Sequence, residues 1–517
     1  MAHPHLSPSV FSNRWNAYLL AVLLSLFNVQ SLHAATQAKV ITFRSMPLLF
    51  VDDGGIASRR DLVRRQHAAK SHPKPVIVAD KPWEGDRVYV FGTILHNPTK
   101  KLFEMWYVGV PGSSEILAHT KKIFVPEFRE GGATPLLYAT SKDGLAWDKP
   151  ALGLHEFAGS KANNIVFDLD SVTVVVDQFE KNPSRRYKLV GYSEHKYWSA
   201  VSPDGFNWHT EPETQLLDHY DTVTMTQNPD TGEFLIFHKQ WPTRVRGFDR
   251  RVVWSMRSPD FKSWSEPELV LSPDEIDDTW ATREGERTEF YNMSVFPHAG
   301  GYIGLPTVFR VEYELPRGTS GPGQSTWAGP IDVEIASSAD GRKWQRAWPR
   351  QNLIPQGDPG TFNSGAILGL ATAPVNYGKE SWFYYTVLTT NHGGAMPPKR
   401  ISIARAEWRR DGYVSLDAGP EGGKLETNLV QFGAPRLVLN ADARLGSVRA
   451  AIVEADGRAI EGLGLADCEP LQVDTVNGTM RWKSGRTPPT DRPVRVRLEM
   501  ASTRLYSLGS FDFEQAP

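Results

Sequence analysis

Cysteine is almost absent from this 517-residue chain, which has one, Cys468. A single thiol closes no internal disulfide, and no Cys/His cluster has zinc-ligand spacing, so disulfide scaffolds and zinc modules are excluded. Net charge is missing too: 57 Lys and Arg against 59 Asp and Glu leave −2. There is no basic field for a phosphate backbone and no run of like charge for a tail, which excludes nucleic acid as a partner. Long apolar runs are lacking beyond the N-terminus, where no segment approaches the roughly 18 residues of a membrane helix. In surplus are 16 Trp, 43 Gly and 37 Pro, the composition of many short strands and turns.

The N-terminus reads as a targeting segment. Arg14 precedes an apolar run from Ala17 to Phe27, and Ser31, Ala34 and Ala35 follow as a small-residue cleavage zone. The run covers only about half of a bilayer's ~30 Å core, which favours a signal peptide over residues 1–35 rather than an anchor. A secreted or periplasmic protein with no membrane span after signal removal is expected.

The body repeats. A Ser-x-Asp-Gly-x-x-Trp pattern occurs at Ser141, Asp143, Gly144, Trp147; again at Ser202, Asp204, Gly205, Trp208; and at Ser338, Asp340, Gly341, Trp344. A fourth copy at Ser258, Asp260, Trp264 has Phe261 in the glycine position. The Trp-to-Trp spacings are 61, 56 and 80 residues. Irregular periods of this size, filled with short strands, are the pattern of propeller blades. The Asp-Gly pair closes a tight turn and the Trp packs back on the blade.

Each copy follows strand pairs of alternating polarity, such as 88–95 with 102–108 and 223–225 with 234–237. A fifth unit runs through 366–371, 382–387 and 401–404. The expectation is an all-β chain, a five-bladed β-propeller over residues 40–420, followed by a C-terminal β-sandwich over 424–514, where strands continue without the Trp turn.

With these turns, the closing segment Arg409 to Gly419 and the following sandwich, residues 76 to 514 resemble the family-32 and family-43 glycoside hydrolase superfamily, the invertase, levanase and arabinanase relatives. The Trp-Met-Asn-Asp-Pro-Asn-Gly, Arg-Asp-Pro and Glu-Cys segments of those families are absent, which makes this a divergent member. The resemblance implies a carbohydrate substrate in the central funnel and two Asp and one Glu as catalytic acids on inner strands. Four acids stand before inner strands: Asp86, Asp170, Asp221 and Glu289. Pro229 and Pro297, each eight residues on from Asp221 and Glu289, align those two. Glycosidic cleavage needs one carboxylic acid to protonate the leaving oxygen and one carboxylate to attack or to activate water. By the resemblance, Asp86 is nucleophile or base, Glu289 the general acid, and Asp170 or Asp221 the orienting group.

Around these acids, Trp83, Arg87, His219 and Tyr291 are candidate sugar contacts, as are Arg283 and Arg287 beside Glu289 and Asp358 on the fifth unit's rim. His392 reads as a surface loop histidine. No Asp-rich calcium loop is visible and no cofactor is expected. Three other readings stay open: a lectin-like propeller without activity, a phosphorylase with Arg283 and Arg287 facing the acids, and a sialidase-like site of Tyr291 with Arg283, Arg287 and Arg310. Oligomeric state has no sequence signal.

Overall fold

The computed structural model describes residues 40–111, 134–193, 196–211, 215–218, 221–316, 318–321 and 324–510. The expected signal peptide lies outside them, as do His219 and Tyr220. Among the described residues no helix is long and apolar enough to cross a membrane.

Five antiparallel sheets form the blades of a propeller. Their inner strands are Val88–Tyr89, Asp170–Val176, Val223–Gln227, Arg287–His298 and Ala366–Leu370. Strands on different blades share no ladder, so another donor must join them around the axis. A ring of hydroxyls does it. Thr93 Oγ1 donates to the Val174 carbonyl at 2.5 Å, Thr173 to Val223 at 3.3 Å, Thr224 to Met293 at 2.7 Å and Ser294 to Leu370 at 3.3 Å. Thr372 completes the ring, with its N–H on the Gly92 carbonyl and its hydroxyl 3.4 Å from Thr173. All five side chains are buried, and burial of a hydroxyl is tolerated because each finds a partner. Gly92 is required where blades 1 and 2 meet, since a Cβ there would fall 1.7 Å from the Val172 carbonyl oxygen.

The repeated turns clip each blade to the one before it. In the first, the Ser141 hydroxyl accepts the Gly144 N–H at 2.8 Å, and Asp143 accepts those of Leu145 and Ala146 at 2.8 and 2.9 Å. Gly144 has φ of +71°, and its carbonyl accepts the Tyr384 hydroxyl of blade 5 at 2.8 Å. The Gly205 carbonyl takes the Trp106 indole N–H of blade 1 at 2.9 Å, while Trp344 of blade 4 packs edge-on to Phe237 of blade 3.

Blade 5 takes its outermost strand from the N-terminal side of the propeller: Lys70–Ser71 pairs with Ile401–Arg409 and closes the ring.

The expected domain boundaries need correction. Ile41–Phe43 and Ile56–Arg60 join one six-stranded sheet, and Leu48–Leu49 and Leu62–Gln66 join the other, both otherwise built from strands between Val414 and Gly509. These N-terminal strands therefore belong to the sandwich rather than to a propeller of 40–420. Pairing with distant C-terminal strands is invisible to local pattern. Cys468 is buried in the sandwich core. Arg409 fixes the sandwich to blade 5, donating to Asn440 at 2.6 Å and to the Thr475 carbonyl at 2.6 Å.

Candidate active site

The inner strands begin at one end of the axis, and the hydroxyl ring sets their register there. Three residues before Thr173 stands Asp170, three before Thr224 stands Asp221, and three before Ser294 stands Tyr291. Asp221 therefore aligns with Tyr291, not with Glu289. The proline spacing fails as a register marker because Pro229 lies beyond the end of its strand at Gln227, whereas Pro297 lies inside Arg287–His298.

Local backbone conformation aims the two aspartates. Ser171, directly after Asp170, has φ of +48°, and Asp221 itself has φ of +46°. Non-glycine residues pay for this region and hold it where the surroundings enforce it, which occurs most often at functional sites. The Ser171 N–H bonds Asp170 at 2.5 Å. Asp221, 38% exposed, meets the Lys239 ammonium at 2.5 Å. That ammonium lies 4.1 Å from the centre of the Tyr291 ring.

Two phenols stand near the acids, Tyr291 buried and Tyr89 half-buried. Tyr89 is pushed up to about 12, mainly by burial, with Asp170 and Asp86 adding to the rise and Arg87 opposing it. Tyr291 is raised as well, by burial first and then by Asp221 and Asp170, against Arg251. Asp86 and Asp170 thus both act on Tyr89, and Asp170 and Asp221 both act on Tyr291. The three aspartates stand at or just before the starts of the inner strands of blades 1, 2 and 3, within electrostatic reach of these phenols. Asp86 is 53% exposed and pairs with the adjacent Arg87 at 2.9 Å. The loop beneath it is fixed by buried Glu84, which accepts the Lys81 N–H at 2.9 Å and the Tyr107 hydroxyl at 2.6 Å.

Glu289 has no access to solvent: it is 0% exposed and enclosed by the guanidinium groups of Arg251 and Arg287, the latter at 2.7 Å. A general acid has to reach the leaving oxygen, so this carboxylate serves instead to hold Arg251. Arg251 stacks 4.3 Å over the Trp327 ring.

Other expected contacts are spent elsewhere. The Trp83 indole donates to Asn164 at 2.6 Å and its ring packs edge-on to Phe157. The Arg283 side chain is 71% exposed and pairs with Glu286, and Arg310 pairs with Asp332. With Arg287 on Glu289, the three arginines serve three different carboxylates and form neither a phosphate cradle nor an arginine triad around Tyr291. Asp358 is exposed in a turn, where its carbonyl accepts the Thr361 hydroxyl.

His392, read from sequence as a surface residue, is buried. Its Nδ1 lies 2.9 Å from the Trp327 carbonyl, its ring packs edge-on to Tyr291, and burial with Arg251 close by drops it to about 3, so it is neutral at physiological pH. Lys239, Arg251, Trp327 and Lys399 carry no motif. Among the described residues, no group of three His, Cys, Asp or Glu stands close enough to hold a metal ion.

The class defined so far is a five-bladed propeller with an acidic, tyrosine-lined axial site. No protein-family model matches the chain, and no curated protein matches it significantly. Solved structures that it resembles include a glycosyl hydrolase from Bacteroides ovatus, at 12% identity over 70% of this chain and 96% of that one, with a TM-score of 0.40. An α-L-arabinofuranosidase from Podospora anserina in complex with cellotriose shows 10% identity over 67% and 98%, with a TM-score of 0.40. An N-acetylgalactosamine deacetylase from F. plautii, bound to blood group B trisaccharide, shows 14% over 68% and 96%, with a TM-score of 0.38. These likenesses are distant, and the sugars named belong to those proteins.

Proposed function

We propose that the protein is an exported glycoside hydrolase whose axial aspartates cleave a glycosidic bond. What supports this reading is that three successive blades each carry an aspartate at the start of the inner strand, Asp86 and Asp170 acting on Tyr89 and Asp170 and Asp221 on Tyr291. Hydrolysis of an acetal needs a proton on the departing oxygen and a carboxylate on the opposite side of the sugar. Asp221, beside the Lys239 ammonium, is the carboxylate that attacks or activates water. Asp86 and Asp170, on the two preceding blades, are the remaining carboxyl groups for the departing oxygen. Tyr89 and Tyr291 stay protonated and donate hydrogen bonds to sugar hydroxyls. Glu289 holds Arg251 and takes no part in proton transfer.

The test is a screen of plant and microbial glycans by reducing-end release, comparing the wild type with Asp170→Asn and Asp221→Asn. A loss of about 10²- to 10⁴-fold in either variant is expected. Full activity in both would remove the proposed site. Export rests on the apolar run from Ala17 to Phe27, and is checked by the N-terminal residue of protein recovered outside the cytoplasm.

A further inference from the structure

The inner strands have a second end, away from the acids. Asp170, Asp221 and Tyr291 stand three residues before their ring hydroxyls; three residues after Thr93, Thr173, Thr224 and Thr372 stand His96, Val176, Gln227 and Val375. These four line two adjoining cavities of about 630 and 260 Å³, which share Ile94, Leu95, Val176 and Gln178. The larger volume falls within the roughly 300–1,000 Å³ of small-molecule sites. Its walls have two characters. Leu95, Val176 and Pro374 are apolar yet only half-buried, so the floor keeps apolar surface in contact with water. At the rim, the Gln178 and Arg186 side chains are exposed, and the Asn376 side-chain oxygen accepts the Ser381 hydroxyl at 2.5 Å, which leaves its NH₂ group to donate. The His96 ring is held 4.9 Å from Phe103 and 5.1 Å from Tyr377. Glu104, the carboxylate of the lining, is spent: it accepts Lys100 at 2.8 Å, the Asn97 amide at 2.9 Å and the Tyr138 hydroxyl at 2.5 Å. Lys100 and Glu104 neutralise each other, and the remaining cation, Arg186, is solvated at the rim.

We propose that this trough, built from blades 1, 2, 3 and 5, is a second, non-cleaving site for a neutral oligosaccharide. Apolar surface rimmed by polar side chains marks a ligand groove. A sugar ring matches both parts of this one, since its C–H face covers the apolar floor while its hydroxyls bond the amides of Gln178 and Asn376 and the guanidinium of Arg186. The near-neutral lining selects against a strongly charged ligand, and the continuation of the larger cavity into the smaller one suits a chain of sugars over a single ring. The site shares no residue with the axial acids and does not depend on the hydrolase reading.

The experiment measures amide hydrogen exchange in the full-length protein carrying Asp221→Asn, so that no chain is cleaved, with xylohexaose, cellohexaose, mannohexaose or arabinohexaose at millimolar concentration. At least one of these is expected to slow exchange in segments 94–100, 176–178 and 374–377. Unchanged exchange there with all four overturns the inference, and slowing by oligogalacturonate alone overturns the neutral class. Gln178→Ala combined with Arg186→Ala, both exposed side chains, is expected to lower the affinity read from these segments by about tenfold. An unchanged affinity contradicts the proposal. Glycan cleavage is scored separately: full activity in Asp170→Asn and Asp221→Asn together with protection of these segments removes the hydrolase reading and leaves this site standing, and the converse result removes only this site.

Discussion

The propeller uses aspartate in two ways, and the two sets differ in where their partners come from. Asp143, Asp204, Asp260 and Asp340, in the repeated turns, each accept the backbone N–H groups two and three residues ahead, at 2.8 to 3.0 Å. The Ala146 and Leu145 amides hold Asp143 below the usual carboxylate range, and the Ser263 amide does the same for Asp260. The funnel aspartates are instead held by side-chain cations: Asp221 by Lys239 on the next strand of blade 3 and Asp86 by the adjacent Arg87. A carboxylate saturated by backbone amides stabilises a turn, whereas one held by a single cation keeps an exposed edge for a ligand.

Substitution separates the two sets, and the largest effect belongs to the funnel. Asp221→Asn is expected to lower glycan cleavage by about 10²- to 10⁴-fold with little change in melting temperature, measured by initial rates beside calorimetry. A comparable loss in Asp143→Ala would erase the distinction.

Gly144→Ala is the corresponding break on the structural side. The new Cβ would lie 2.6 Å from the Tyr384 hydroxyl, at a φ of +71°. A destabilisation of about 1–3 kcal/mol is expected in urea unfolding, with activity per folded molecule unchanged.

Asp411 sharpens the comparison by reversing its sign. It sits in the turn that closes blade 5, and burial, only partly offset by Arg410, raises it to about 6. Its folded value lies above the unfolded one, so its contribution to stability is fully present below pH ~4 and is lost as pH rises through 6. Asp411→Asn is expected to add about 1–3 kcal/mol at pH 7 and to flatten the decline between pH 4 and 6, as read from denaturant midpoints across pH. Asp143→Ala gives the smallest effect, a loss of about 0.5–1.5 kcal/mol from two backbone hydrogen bonds, measured the same way.

Much of the scaffold is legible in sequence because its signals are short-range. Each Ser-x-Asp-Gly-x-x-Trp turn forms its own bonds within a few residues, and alternating strands announce the blades between turns. Asp170 and Asp221 were reachable from their place before inner strands. Glu289 falls out of the alignment because Pro297 lies inside its strand while Pro229 lies beyond the end of its own, which residue counting cannot see. Trp83 and Arg283 stand near Asp86 and Glu289 in the chain, but the fold gives them Asn164 and Glu286 as partners.

The sequence by itself determined the repeat, its turn chemistry and the all-β class, since those depend on residues within one strand and turn of each other. Only the tertiary structure decided the chemistry of the axis. Ring closure brings Lys70–Ser71 onto the last strand of blade 5, and the preceding N-terminal strands become parts of the sandwich. Burial then decides which charged groups must be paired, as Glu289 is by Arg251 and Arg287, because the cost of an uncompensated charge depends on the water around it rather than on its neighbours in the chain.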